Sequence, residues 1–194
     1  FNEITKKKDA VRRCSSEGFE CDQIAKEKIK HFVSKEAFNI DGFGKKLVEN
    51  FWSLKLVKFP QDIFKLDYEK IRNLDGWGNL STSNLKYAIE SKKNISLDKF
   101  IYSLGIRHIG QENAKLLARH LKTANNFFNL SLNKDIDELK NIDGIGDTQI
   151  KSILNFFVNK TNHKFLLELK KTLEIKDAIQ LSKSGLFKNK TFMF

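Results

Sequence analysis

The chain has 194 residues, and its 40% hydrophobic content with 17 Phe is enough to build a core. Its 35 Lys and Arg outnumber 24 acidic residues, for a net charge of +11, which favours a polyanionic partner, nucleic acid before an acidic membrane surface. No apolar run approaches the length of a membrane span, so a helical membrane domain within these residues is excluded.

A single Pro and a steady 3.6-residue apolar periodicity predict a mainly α body. Residues 1–21 read differently. They are basic (Lys6, Lys7, Lys8, Arg12, Arg13), lack sustained periodicity and hold both cysteines, Cys14 and Cys21. Two cysteines do not make a disulfide scaffold, and a closed structural zinc site needs four ligands. Two metal-free thiols and half a zinc site completed from outside these residues both fit the pattern. The chain opens on Phe1 and its one Met is Met193, so a segment of a longer protein is expected.

From 22 to 31 the pattern turns helical, with Ile24, Ile29 and Phe32 sharing a face. Ile40-Asp41-Gly42-Phe43-Gly44 follows and leads into a predicted helix over 45–54. Pro60 opens a short helix over 61–64, where proline is tolerated. Residues 68–73 lead into Leu74-Asp75-Gly76-Trp77-Gly78, and 80–91 lead out. Residues 97–104 lead into Ile106-Arg107-His108-Ile109-Gly110, and 112–121 lead out. Residues 135–140 lead into Ile142-Asp143-Gly144-Ile145-Gly146, and 148–158 lead out. A last helix is predicted over 161–173. Residues 181–190 read as a basic linker and 191–194 as the start of a strand.

These turns spell one phrase four times. The leading glycines Gly42 and Gly76 are 34 residues apart, and Gly144 follows 68 residues later, with the degenerate third copy between. Four positions past the last Gly of each copy stand Val48, Thr82, Ala114 and Ile150, and seven past it Phe51, Leu85, Leu117 and Ile153. Apolar–Gly–apolar–Gly followed by a helix is the helix-hairpin-helix signature. One Gly-x-Gly is commonly a plain turn, but four in register form a repeat.

Such a turn leaves the first N–H groups of its helix without internal partners, at the positive end of the helix dipole, where phosphate oxygens fit. Glycine there permits φ > 0 and lets a phosphate approach the backbone. Gly42, Gly44, Gly76, Gly78, Gly105, Gly110, Gly144 and Gly146 are therefore the expected phosphate contacts, with Lys45, Lys46, Arg107 and Lys151 adding charge. The middle residues Phe43, Trp77, Ile109 and Ile145 are expected to turn inward. In the third copy His108 replaces the first Gly and Arg107 the Asp, with Gly105 a possible source of the turn. Arg107 either adds a cation that reaches into a minor groove or is a surface residue of a hairpin that serves packing alone. His108 reads as an exposed loop histidine.

Taken together, these residues resemble the bacterial NAD-dependent DNA ligases, in which a four-cysteine zinc finger is followed by four helix-hairpin-helix motifs and a BRCT domain. Arg13-Cys14 through Cys21 looks like the second half of the finger, although its cysteine spacing is one residue longer than usual and Asp22 stands where Pro or Gly is more common. Lys30-His31-Phe32-Val33-Ser34 with Asp41-Gly42-Phe43-Gly44 is similar to the family's passage into its first hairpin. Gly76-Trp77-Gly78 with Ser81 and Asn84-Leu85 is similar to its second. Tyr102-Ser103-Leu104-Gly105-Ile106-Arg107-His108-Ile109-Gly110 resembles its most distinctive stretch. Leu186-Phe187-Lys188-Asn189-Lys190-Thr191-Phe192 looks like the opening strand of the BRCT domain.

The resemblance implies three parts: half a zinc finger over 1–25, a four-hairpin DNA-binding domain over 26–175, and a linker with the first BRCT strand over 176–194. It implies a portion that grips duplex and nicked DNA without sequence preference, as a monomer in the cytoplasm and with no membrane role. The parent activity is the sealing of nicks between 5′-phosphate and 3′-hydroxyl ends in replication and repair. Zinc would be held in part by Cys14 and Cys21. NAD and Mg, and the adenylation centre, would lie outside these residues, leaving this portion inactive alone. Two rivals remain: a stand-alone hairpin module of a repair nuclease or junction-binding protein, which usually carries two hairpins, and a helical interaction scaffold, which the charge and the glycines disfavour.

Overall fold

A computed structural model describes residues 18–133 and 139–178. In chain order its elements are α1 (Asp22–Val33), α2 (Lys45–Ser53), a 3₁₀ turn (Pro60–Lys65), α3 (Tyr68–Arg72), α4 (Asn79–Glu90), β1 (Asn94–Ser96), α5 (Leu97–Ser103), α6 (Gln111–Leu121), α7 (Ala124–Asn133), α8 (Asp147–Val158), α9 (Lys160–Thr172) and β2 (Glu174–Lys176). The fold is mainly α.

The helices bury the faces that their spacing prescribes. Ala25, Ile29, Phe32 and Val33 of α1 are buried, as are Val48, Phe51 and Trp52 of α2 and Ala114, Leu117, Ala118 and Leu121 of α6. Each fully buried Phe or Ile contributes about 1.5–3 kcal/mol from removal of its apolar surface from water. Two helices, α3 and α9, are closed at their heads by N-cap side chains. Asp67 accepts from the N–H groups of Glu69 and Lys70 at the head of α3, and Asn159 from those of Thr161 and Asn162 at the head of α9. Pro60 starts the 3₁₀ turn, and Asp62 Oδ2 accepts from the Phe59 and Lys58 N–H groups at 2.8 and 2.9 Å.

The hairpins associate in two pairs. In the first, Phe51 of α2 lies 5.7 Å from the Trp77 ring of the second turn. In the second, Leu116 of α6 packs against Gly144 of the fourth turn. The halves share one continuous core, and Phe19 ahead of α1 packs 5.5 Å from the Phe165 ring of α9. His31 Nε2 is 2.8 Å from the Tyr102 carbonyl oxygen, with the two rings 4.7 Å apart. Lys65 of the 3₁₀ turn pairs with Glu168 of α9. Finally, β1 and β2 run parallel, Asn94 opposite Glu174 and Ser96 opposite Lys176.

Several features depart from the sequence reading. The first helix runs on to Val33. The segment at 61–64 is a 3₁₀ turn and starts at Pro60. The units are expected to be joined by helical connectors, and α7 is the one between the third and fourth hairpins, but the strand pair was not anticipated. Phe43, Ile109 and Ile145 are buried as expected, whereas Trp77 is half-buried. The expectations placed on Cys14, on most of the helix before the fourth hairpin, and on the terminal linker and strand lie outside the described residues.

Candidate nucleic-acid interface

The four turns share one backbone geometry. The middle apolar residue donates its N–H to the carbonyl three residues before it: Phe43 to Ile40 at 3.2 Å, Trp77 to Leu74 at 3.0 Å, Ile109 to Ile106 at 3.0 Å and Ile145 to Ile142 at 3.1 Å. The third residue of the turn is left-handed each time: Gly42 at φ +74°, Gly76 at +75°, His108 at +63° and Gly144 at +85°. The last glycine is the N-cap of the next helix, and its carbonyl takes the first helical bond, from Val48, Thr82, Ala114 and Ile150 at 2.9–3.1 Å.

A glycine N-cap has no side chain with which to close the helix, and none of these four helices carries a side-chain cap bond from its N-cap residue. Among the described residues no N-cap side chain closes their first helical N–H groups, in contrast to α3 and α9, although Ser81 Oγ accepts from the N–H of Gly78 itself at 3.0 Å. Ser96 and Cys21 also head α5 and α1 without a side-chain cap, but neither follows such a turn. All of Gly42, Gly44, Gly76, Gly78, Gly110, Gly144 and Gly146 are solvent-exposed. A Cβ on any of the first five would meet nothing within 4 Å, so these turns present bare backbone to whatever approaches. At the first hairpin the two glycines line a hollow of about 450 Å³ together with Lys35, Lys45 and Asp41. Ser34 shares that wall, and its buried hydroxyl has no hydrogen-bond partner. Lys45, Lys46 and Lys151 are exposed, on the first turns of α2 and α8.

Two predicted contacts are placed differently. Gly105, at φ +60°, ends α5, and a Cβ there would come 3.3 Å from His31 Cδ2. It serves the joint between α1 and α5, and the left-handed residue of the third turn is His108 itself. The Asn113 amide donates to the His108 carbonyl at 3.1 Å and steadies that turn. Gly144 is close-packed rather than open, since a Cβ would stand 2.9 Å from Leu116 Cδ1. Arg107 is exposed and lines a cleft with Lys28, Ser152, Asn155, Asn159 and Asn162. In the first hairpin the matching Asp41 accepts from the Gly42 N–H at 3.0 Å. Sequence reading missed the α1 and α8 walls of this cleft, whose residues are far apart in the chain.

Among the described residues no group of three or more His, Cys, Asp or Glu side chains is arranged to hold a metal. Cys21 is half-buried at the head of α1. No helix among those residues is long and apolar enough to cross a membrane.

A family model described as helix-hairpin-helix motif matches residues 99–166, the third and fourth hairpins. Along its whole length the chain is similar to a DNA ligase of Pelagibacter ubique, 72% identical over 193 residues. It is 42% identical over 181 residues to a DNA ligase of Rickettsia bellii, across 87% of this chain. A DNA ligase of Wolbachia pipientis is 42% identical over 192 residues, across 96%. The chain spans about 29% of the length of the first and last of these relatives and 26% of the second.

Proposed function

The chain is a segment of the bacterial DNA ligase family, and we propose that it is the part that holds duplex DNA by its sugar-phosphate backbone while the ends at a nick are joined. The observation that carries this is the fourfold repetition of an uncapped, glycine-headed helix. Each open N-terminus offers backbone N–H donors and the positive end of a dipole to one phosphate. A charge at such a site contributes about 0.3–1 kcal/mol, too little for one hairpin to bind alone. Non-specific binding in the range of about 10⁻⁴–10⁻⁶ M therefore needs the four seats and the surrounding Lys and Arg charge acting together. Backbone donors read no base, so sequence preference is absent. Lys45, Lys46 and Lys151 add charge beside the first and fourth seats.

In this reading the joined ends are a 5′-phosphate and a 3′-hydroxyl, in replication and repair, and the protein works in the cytoplasm as a monomer. The adenylation chemistry, with NAD and Mg, belongs to parts of the protein outside these residues. Cys14 and Cys21 supply two thiolates of a structural zinc site, which needs two further ligands. The test is the affinity of this chain for nicked and intact duplexes across a salt series. If each hairpin engages one or two phosphates, the log–log slope is about −4 to −7, from roughly 0.9 per phosphate neutralised. An affinity indifferent to salt removes the electrostatic reading.

A further inference from the structure

Between α1, the third turn and α8 lies a cleft of about 400 Å³, whose wall carries Lys28, Arg107, Ser152, Asn155, Asn159 and Asn162. We propose that this cleft is a second kind of phosphate seat, built from side chains rather than from a helix end, in which Lys28, Arg107, Asn155 and Asn159 hold a backbone phosphate of the same duplex.

The chemistry of the wall points to an anion. It carries two cations, and no carboxylate is among its described residues. Among the described residues Arg107 has no ion-pair partner, although the equivalent turn positions carry Asp41, Asp75 and Asp143. Exchange of a carboxylate for a guanidinium at one turn of four reverses the local charge, and a guanidinium matches phosphate geometry. Lys28 extends over the Phe19 ring at 5.6 Å. Burial pushes its ammonium below the usual lysine range. A desolvated cation with no carboxylate partner among the described residues gains most from an incoming anion.

The asparagines are turned for the same task. Asn159 spends its Oδ1 on the Thr161 and Asn162 N–H groups, which leaves its amide Nδ2 as a donor. Asn162 is 5% exposed. Its Nδ2 donates to the Phe156 carbonyl at 3.0 Å, and its Oδ1 has no protein partner. That acceptor in the floor is a site for the water that a bound phosphate carries into a polar cleft. The third hairpin, whose left-handed residue is a histidine instead of glycine, thus adds side-chain donors to its open backbone.

The inference rests on the DNA-binding reading, and one experiment separates the two. Binding of a duplex to wild type, Arg107→Gln and Lys28→Gln is measured across a salt series, with helix content checked by circular dichroism. The expected result is several-fold weaker binding by each folded variant and a log–log slope smaller by about 1. Arg107 is exposed, so its variant keeps the test open should Lys28→Gln disturb packing. Failure of wild type to bind the duplex overturns the DNA reading itself. Wild-type binding with an unchanged slope in Arg107→Gln overturns the cleft alone. In a second arm the side-chain amide resonances of Asn155 and Asn159 are followed by nuclear magnetic resonance, with duplex or inorganic phosphate added. Shifts with the duplex support the proposal, and shifts with inorganic phosphate alone overturn the backbone assignment in favour of a free anion.

Discussion

Leu116 stands where a side chain on Gly144 would have to go, since a Cβ there would lie 2.9 Å from Leu116 Cδ1. The same position in the second hairpin, Gly76, has nothing within 4 Å. Both glycines are left-handed, so Ala costs about 1 kcal/mol of backbone strain at either. At Gly144 the collision adds to it. Gly144→Ala should lose about 2 kcal/mol of stability, a fall in Tm of roughly 4–8 °C for a domain of this size, and Gly76→Ala about half of that. Denaturant unfolding of the two variants checks this, and equal losses would show that the Leu116 contact yields at no cost.

His108 holds φ +63° without being glycine. A left-handed non-glycine residue costs about 1–2 kcal/mol, and the turn is otherwise secured by the Asn113 amide. His108→Gly should therefore raise stability by about 0.5–1 kcal/mol, the relieved strain being partly offset by the freer unfolded chain. A drop in the unfolding midpoint would mean that the imidazole makes a contribution larger than the strain.

Glu168 is held down to about 2 by hydrogen bonds from Lys65 and then Lys171. Its carboxylate lies far below the ordinary value of 4.5, so its contribution to stability is complete above pH 4.5. That contribution fades as pH falls from there through about 2. The pair is exposed and modest in strength, but it ties α9 to the 3₁₀ turn. Urea unfolding of wild type and Glu168→Gln should differ by a constant amount above about pH 5.5 and converge near pH 2. A difference that persists undiminished at pH 2 would place the residue's role in packing.

The hairpins were legible in the sequence because each is a local device: four residues close the turn, and the next eight declare the buried face of a helix through Val48 and Phe51 or Ile150 and Ile153. The strand pair was not, because three residues at 94–96 become a strand only by meeting 174–176, eighty positions away. Helix α7 begins Ala-Asn-Asn-Phe-Phe-Asn, weak in helix propensity, and is stabilised by packing of Phe127 and Phe128 against Phe100. The glycine positions were correct as turns but not equal in surroundings. Nothing in the letters distinguishes Gly144, pressed on Leu116, from Gly76 in open space. Gly105 was read with the third turn because of its proximity, whereas its neighbour in space is His31 of α1.

If bare backbone at the hairpin ends receives phosphates, Gly78→Val and Gly110→Val should weaken the hold on a duplex. Gly78 and Gly110 have extended backbone at φ −157° and −82°, and a Cβ at either meets nothing within 4 Å. The variants should fold with unchanged helix content by circular dichroism. Duplex binding at fixed salt should then weaken by up to about fivefold per site, about 1 kcal/mol, and by more than in Lys46→Ala, which removes one exposed charge. Folded variants that bind duplex as tightly as wild type would show that the hairpins are packing devices and seat no phosphate.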